Sequence, residues 1–196
     1  MKENSIYSIK EFALNAGKAV ITPAEIANIL GRPKSIGAVY AARLVKKGLA
    51  KRILRGKLSL SDDDFAIASQ LINPAYISLN SALLFHGITK QVTNGIECVT
   101  TTNSIRIQKL GIVYHKIPSS LFYGYKRVSR GQSYAFFAEP EKALIDGIYL
   151  GVYTKQQLYE YVGNIDKKRL LELSTRYKGY GSRNIMKMVE SLTELH

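Results

Sequence analysis

The sequence predicts an α+β protein in two domains, residues 1–65 and 66–196. Three observations carry that reading. Apolar residues at helical spacing, punctuated by caps and glycines, run to about Lys47. β-Branched and aromatic segments separated by turns follow Gly95, and helix signals return from Pro140 onward. At 46% hydrophobic and 22% charged residues, the chain has the composition of a protein that buries an ordinary core.

Taken in order, Ile6, Ile9, Phe12 or Ala13, and Ala16 mark a first helix over 5–16 that stops at Gly17. Thr22-Pro23-Ala24-Glu25 is a capping box, with Thr22 bonding the N3 amide, Pro23 in the first helical position and Glu25 reaching back to the cap. That helix runs Pro23 to Leu30 and ends at Gly31. After Arg32-Pro33-Lys34, Ser35 is expected to cap a third helix reaching about Lys47, with Ile36, Tyr40 and Leu44 facing inward. Gly48 ends it. Apolar residues at 53, 58 and 60 flank Arg55-Gly56, the pattern of a two-stranded hairpin with a basic tip. Asp62-Asp63-Asp64 reads as a turn or helix N-terminus that closes the unit.

Three helices and a basic hairpin predict a winged helix-turn-helix. In that arrangement the third helix enters the major groove, the second crosses the backbone, and the hairpin reaches an adjacent groove or phosphates. The charge agrees. The chain carries 28 Lys+Arg against 15 Asp+Glu, a net +13. Residues 26–61 contain nine bases and no acid, whereas a merely solubilising face mixes both signs. The candidate DNA-binding residues are Arg32, Lys34 and Ser35 at the start of the recognition helix, Arg43 along it, and Lys51, Arg52, Arg55 and Lys57 on the wing. The wing bases are assigned mainly to phosphates, which supply affinity and salt dependence rather than sequence choice. A solvated basic face on a protein-binding module is the competing reading.

In the second domain a short helix spans Phe65 to Ile72, and Ser78 is expected to cap a helix from Leu79 to His86. Residues 96–102, 104–108, 112–117 and 134–137 read as strands of a small sheet. Helices are expected after Pro140, from Thr154 to Tyr161 behind a Thr-x-x-Gln capping box, and from about Arg183 to Leu195. Between Tyr114 and Arg130, aromatic and basic residues interleave. Tyr123, Tyr125, Lys126, Arg127 and Arg130 are therefore candidates for a second nucleic-acid surface, while an amphipathic strand pair has the same texture.

Four segments carry a family resemblance: Lys51-Arg-Ile-Leu-Arg-Gly-Lys, the run from Tyr76 to Thr89, Phe122-Tyr-Gly, and Ala138-Glu-Pro-Glu-Lys-Ala-Leu-Ile-Asp. In this order the chain resembles the AbiEi antitoxins of type IV toxin–antitoxin systems and their winged-helix relatives. The resemblance covers most of residues 20–150. It implies an N-terminal domain that binds double-stranded DNA, usually at inverted repeats, and represses its own operon. It also implies a C-terminal domain that counters a nucleotidyltransferase-like toxin without a stable complex. The wing departs from the family pattern, since Gly56 is followed by Lys57-Leu58-Ser59 rather than a Gly-Val-Tyr-like strand. No family motif is found beyond residue 150.

Enzyme readings fare less well. Gly147-Ile148-Tyr149 and Tyr161-Val162-Gly163 resemble the paired tripeptides of GIY-YIG nucleases, but that chemistry needs them on adjacent strands, and both lie in helix-favouring sequence. Gly181-Ser182 lacks the paired carboxylates of a nucleotidyltransferase. His86 precedes a helix-ending glycine, the place of a C-terminal cap. The single Cys98 with His86, His115 and His196 builds no zinc spacing, so no metal or cofactor is expected. Lacking a long apolar run and an apolar leader, the chain reads as a cytoplasmic, non-enzymatic repressor without membrane contact.

Overall fold

The computed structural model describes residues 6–194. It is α+β and divides into two compact units, Met1–Ile72 with Val128–Ala135, and Asn73–Arg127 with Phe136–His196.

The first unit contains α1 (Ile6–Asn15), β1 (Val20–Ile21), α2 (Pro23–Leu30), α3 (Lys34–Lys46), β2 (Lys51–Leu54), β3 (Lys57–Ser59) and α4 (Asp64–Leu71). The capping box at α2 forms as its sequence requires: the Glu25 amide donates to Thr22 Oγ1 at 3.2 Å and the Thr22 amide to Glu25 Oε2 at 2.8 Å. Gly31 closes the helix in the left-handed conformation, φ 62°. Strands β2 and β3 pair antiparallel around Gly56, and β1 adds to the outer side of β3 through Val20 opposite Ser59. Two residues are too short to show a strand period, so β1 escapes sequence reading. Ile9, Ala13, Ile21, Ile26, Ala41, Leu44 and Leu58 form the core of the unit.

The domain boundary expected after residue 65 falls inside α4. Asp63 caps that helix by accepting from the Ala66 amide at 2.7 Å. Gln70 on α4 then binds both parts of the unit: its amide donates to the carbonyls of Gly17 at 3.0 Å and Tyr134 at 2.9 Å, and its Oε1 accepts from the Ala19 amide. Residues Val128–Ala135 belong with α4 through these bonds, which no local pattern announces.

Seating α3 on α2 depends on Gly37. A Cβ at this position would lie 2.0 Å from the Pro23 carbonyl oxygen and 2.9 Å from Ala27 Cβ. The buried residues of α3 are Gly37, Ala41 and Leu44; of the expected inward face Leu44 is buried and Tyr40 packs partly buried against the core, while Ile36 is exposed. Glycine adds nothing to a hydrophobic pattern, yet Gly37 marks a close approach of the two helices.

The second unit holds β4 (Ala75–Ile77), α5 (Leu79–Phe85), β5 (Ile96–Thr100), β6 (Ile105–Ile107), β7 (Ile112–Lys116), β8 (Tyr125–Arg130), β9 (Ser133–Ala138), α6 (Pro140–Leu150), α7 (Lys155–Val162), α8 (Lys167–Arg176) and α9 (Ser182–Glu194), the ends of β8 and β9 that face their shared turn lying in the first unit. The six strands form one sheet in the order β6-β7-β5-β4-β9-β8, with β5–β7 and β4–β9 parallel. Helix α6 packs with α5, α8 and α9. Helix α8 is an addition to the elements expected from the sequence, although Asp166 caps it by accepting from the Arg169 amide at 3.0 Å. The last expected helix is α9, whose projected end at Leu195 lies outside the described residues.

Replacing Gly37 with Ala is expected to lower unfolding stability by about 1–3 kcal/mol despite alanine's better helix propensity, because the obstructing atom is backbone. Chemical denaturation of the variant measures it. A stability gain would show that α3 does not sit this close.

Candidate nucleic-acid interface

With Gly37, Ala41 and Leu44 turned inward, α3 leaves Lys34, Ser35, Ile36, Ala38, Val39, Ala42, Arg43 and Lys46 toward the outside. Arg32 and Lys34 stand beside its N-terminus, where unpaired amides and the helix dipole favour anions. Ser35 does not cap the helix. The N-cap is Pro33, without a side-chain cap bond, and Ser35 sits exposed in the first turn. Arg43 lies over the Tyr40 ring at 5.0 Å, which narrows the freedom of its guanidinium.

The hairpin divides the four wing bases. Arg52 and Arg55 are exposed and make no side-chain hydrogen bond or ion pair among the described residues. Lys51 meets Asp62 at 2.6 Å, but both side chains are well exposed, and such a pair yields readily to a stronger anion. Lys57 is different: its ammonium donates to the Leu71 carbonyl at the end of α4, so its nearest task is structural. Along the sequence the four cations look equivalent, and only the return of α4 separates them.

The residues expected to form a second surface at Tyr123–Arg130 fall in both units: Tyr123, Tyr125, Lys126 and Arg127 in the second, Arg130 in the first. Tyr125 stacks on the buried Tyr76 ring at 4.6 Å, and Tyr123 donates its hydroxyl to the Leu173 carbonyl at 2.8 Å. Arg130 belongs to the first unit, where it pairs with Asp63 at 2.8 Å and covers the Phe65 ring. Lys126 and Arg127 are exposed, and the Lys126 ammonium lies 3.9 Å from Glu139. The alternative for this stretch, a strand pair, does not form within it: the stretch holds the end of β7 and all of β8, which are not neighbours in the sheet, and β8 pairs with the later β9.

The second unit also holds a buried polar cluster that sequence reasoning does not find. Lys142 and Asp146, one helical turn apart on α6, are both fully buried and paired. Asp146 Oδ2 also accepts from Tyr76 Oη at 3.0 Å and Ser78 Oγ at 2.7 Å. Burial first, then the Asp146 charge, pushes the Tyr76 hydroxyl upward, which keeps it a donor. Ser78 is therefore not the expected side-chain cap of α5; its hydroxyl serves Asp146, and the chain enters the helix through Leu79 at φ 53°. The signal is present as Lys142-x-x-x-Asp146, but i,i+4 charges usually mark a solvated face.

Cys98, His86 and His115 have the following surroundings. Burial pushes the Cys98 thiol up. His86 Nε2 lies 2.8 Å from the Ala138 carbonyl. His115 Nε2 is buried without a hydrogen-bond partner among the described residues, 4.0 Å from Glu97; burial lowers the histidine and raises the carboxyl. Gly147-Ile148-Tyr149 lies within α6, and Tyr161-Val162-Gly163 ends α7. Among the described residues no group of three or more His, Cys, Asp or Glu side chains is placed to hold a metal ion, and no helix is long and apolar enough to cross a membrane.

No family model and no curated protein matches the chain. Among solved structures, it is similar to the Rv2827c protein of Mycobacterium tuberculosis, at 12% identity and a TM-score of 0.53, over 95% of this chain and 75% of that one. At that identity the likeness is one of fold alone.

Two outcomes are expected in the second unit. Lys142→Met leaves Asp146 charged and buried and is expected to cost about 3–5 kcal/mol, whereas adding Asp146→Leu recovers part of that stability; a double variant no better than the single would deny the pair its role. Glu139 accepts from Arg169 Nε at 2.9 Å and Nη2 at 3.0 Å, and these bonds hold its carboxyl below the ordinary 4.5 against the opposing effect of burial. A depressed folded value gives stability that is present above the unfolded value and disappears as pH falls through the folded one. Urea midpoints measured downward from pH 6 are thus expected to fall less steeply in Glu139→Gln than in the unaltered chain.

Proposed function

We propose that the first unit is a winged helix-turn-helix binding double-stranded DNA, and that the chain is a sequence-specific, non-enzymatic transcriptional repressor. One observation carries the reading: the solvent face of α3 and the β2–β3 hairpin lie in a stretch without acids, and Arg32, Lys34, Arg52 and Arg55 are exposed and unengaged there among the described residues. Held on α2 through Gly37, α3 offers a face to the major groove while the hairpin approaches phosphates. The motif resemblance extends this to an autoregulating type IV antitoxin, with an operator of inverted repeats and a nucleotidyltransferase-like toxin as its functional partner.

Fluorescence anisotropy with a labelled duplex from upstream of the chain's own coding region, titrated between about 50 and 200 mM salt, tests the reading. Salt-sensitive, sequence-preferring binding is expected. Arg52→Ala with Arg55→Ala weakens specific and non-specific binding together and reduces the log–log salt slope by about one unit for each phosphate no longer neutralised. An unchanged slope removes the hairpin from the phosphate-binding surface; binding with neither salt nor sequence dependence overturns the repressor.

A further inference from the structure

The exposed face of α3 is unusual for a strongly basic stretch because it is largely apolar. Ile36 is 37% and Val39 46% exposed, and Ala42 stands open beside Val39. Ile36, Val39 and Arg43 follow at i, i+3 and i+7, one stripe about 10 Å long, which matches about three base-pair steps. Helix α3 contains no Asn, Gln, Asp, Glu, Thr or His. The donor–acceptor code of the major groove therefore finds few readers on it. Adenine is usually read by Asn or Gln and cytosine by Asp or Glu; α3 carries neither set, while Arg43, Lys34 and Lys46 are of the type that reads guanine and Ser35 can serve more than one base. The remaining major-groove feature that apolar side chains recognise is the 5-methyl group of thymine.

Resting on the DNA-binding reading above, we infer that α3 selects its site chiefly by thymine methyl groups packed against Ile36, Val39 and Ala42, with Arg43 reading a neighbouring guanine. Charge complementarity argues for DNA as the occupant of this apolar stripe: Arg32, Lys34, Arg43 and Lys46 border it, and no acid occurs between residues 26 and 61. The cation–π interaction with Tyr40 holds Arg43 beside the stripe, so binding guanine pays less of the ordering cost of a long side chain.

The test uses the full chain and a duplex pool randomised over one site, enriched by repeated binding. The enriched duplex is then resynthesised with deoxyuridine in place of thymidine, which removes methyl groups and leaves every hydrogen-bonding group of the base pair. Affinity is expected to fall about fourfold for each methyl group removed from the interface. Ile36→Ser with Val39→Ser, both at exposed positions, is expected to narrow the difference between the two duplexes while keeping the salt slope. Selective, salt-sensitive binding that does not distinguish deoxyuridine from thymidine overturns this inference and leaves the repressor reading standing. No salt-sensitive enrichment from the pool overturns both. A chain that sediments as a dimer and becomes monomeric in the Ser variant, with its thymidine preference intact, assigns the stripe to a protein interface and also overturns the inference.

Discussion

The closest helix–helix approach in the first unit decides what that unit can present. Because position 37 has no Cβ, α3 settles until its backbone meets the Pro23 carbonyl and Ala27. Once it has settled there, helix geometry leaves one rotation: Ala41 and Leu44 enter the core, and Ile36, Val39 and Arg43 face outward. A side chain at position 37 would push the helix away or turn it. The proposed nucleic-acid interface, from its apolar stripe to the arginine held beside it, depends on that rotation.

The second unit relies on a different kind of constraint. Its central helix α6 buries a lysine and an aspartate together, where either alone would be an uncompensated charge. Tyr76 from β4 and Ser78 from the β4–α5 junction complete the aspartate's hydrogen bonds. The network thereby fixes α6 against the sheet at one register, since sliding the helix by a turn would strand both charges. The Ser78 hydroxyl is thereby committed to Asp146 and makes no side-chain cap bond to α5.

Local chemistry is legible where it acts within a few residues. Both capping boxes form, the β2–β3 turn centres on Gly56, and the helices after Pro140 and Thr154 begin where their caps place them. Legibility ends where a residue's partner lies far along the chain. Ser35 and Ser78 have the composition of caps, yet one is an open first-turn residue and the other belongs to Asp146. Tyr123 and Tyr125 look like a stacking platform in a basic sequence, but core packing and the Leu173 carbonyl take them.

The sequence by itself determined the α+β class, the order of most elements and the concentration of positive charge between residues 26 and 61, because caps, periodicity and composition are properties of neighbouring residues. Tertiary structure decided which face of α3 is outside, which cations of the β2–β3 hairpin remain unengaged among the described residues, and that residues 128–135 join the first unit through Gln70. Those outcomes turn on a missing methyl at Gly37, a carbonyl at the end of α4 and an amide more than sixty residues from its partner. Each brings distant segments together, and the energy that selects it exists only once the chain has folded that far.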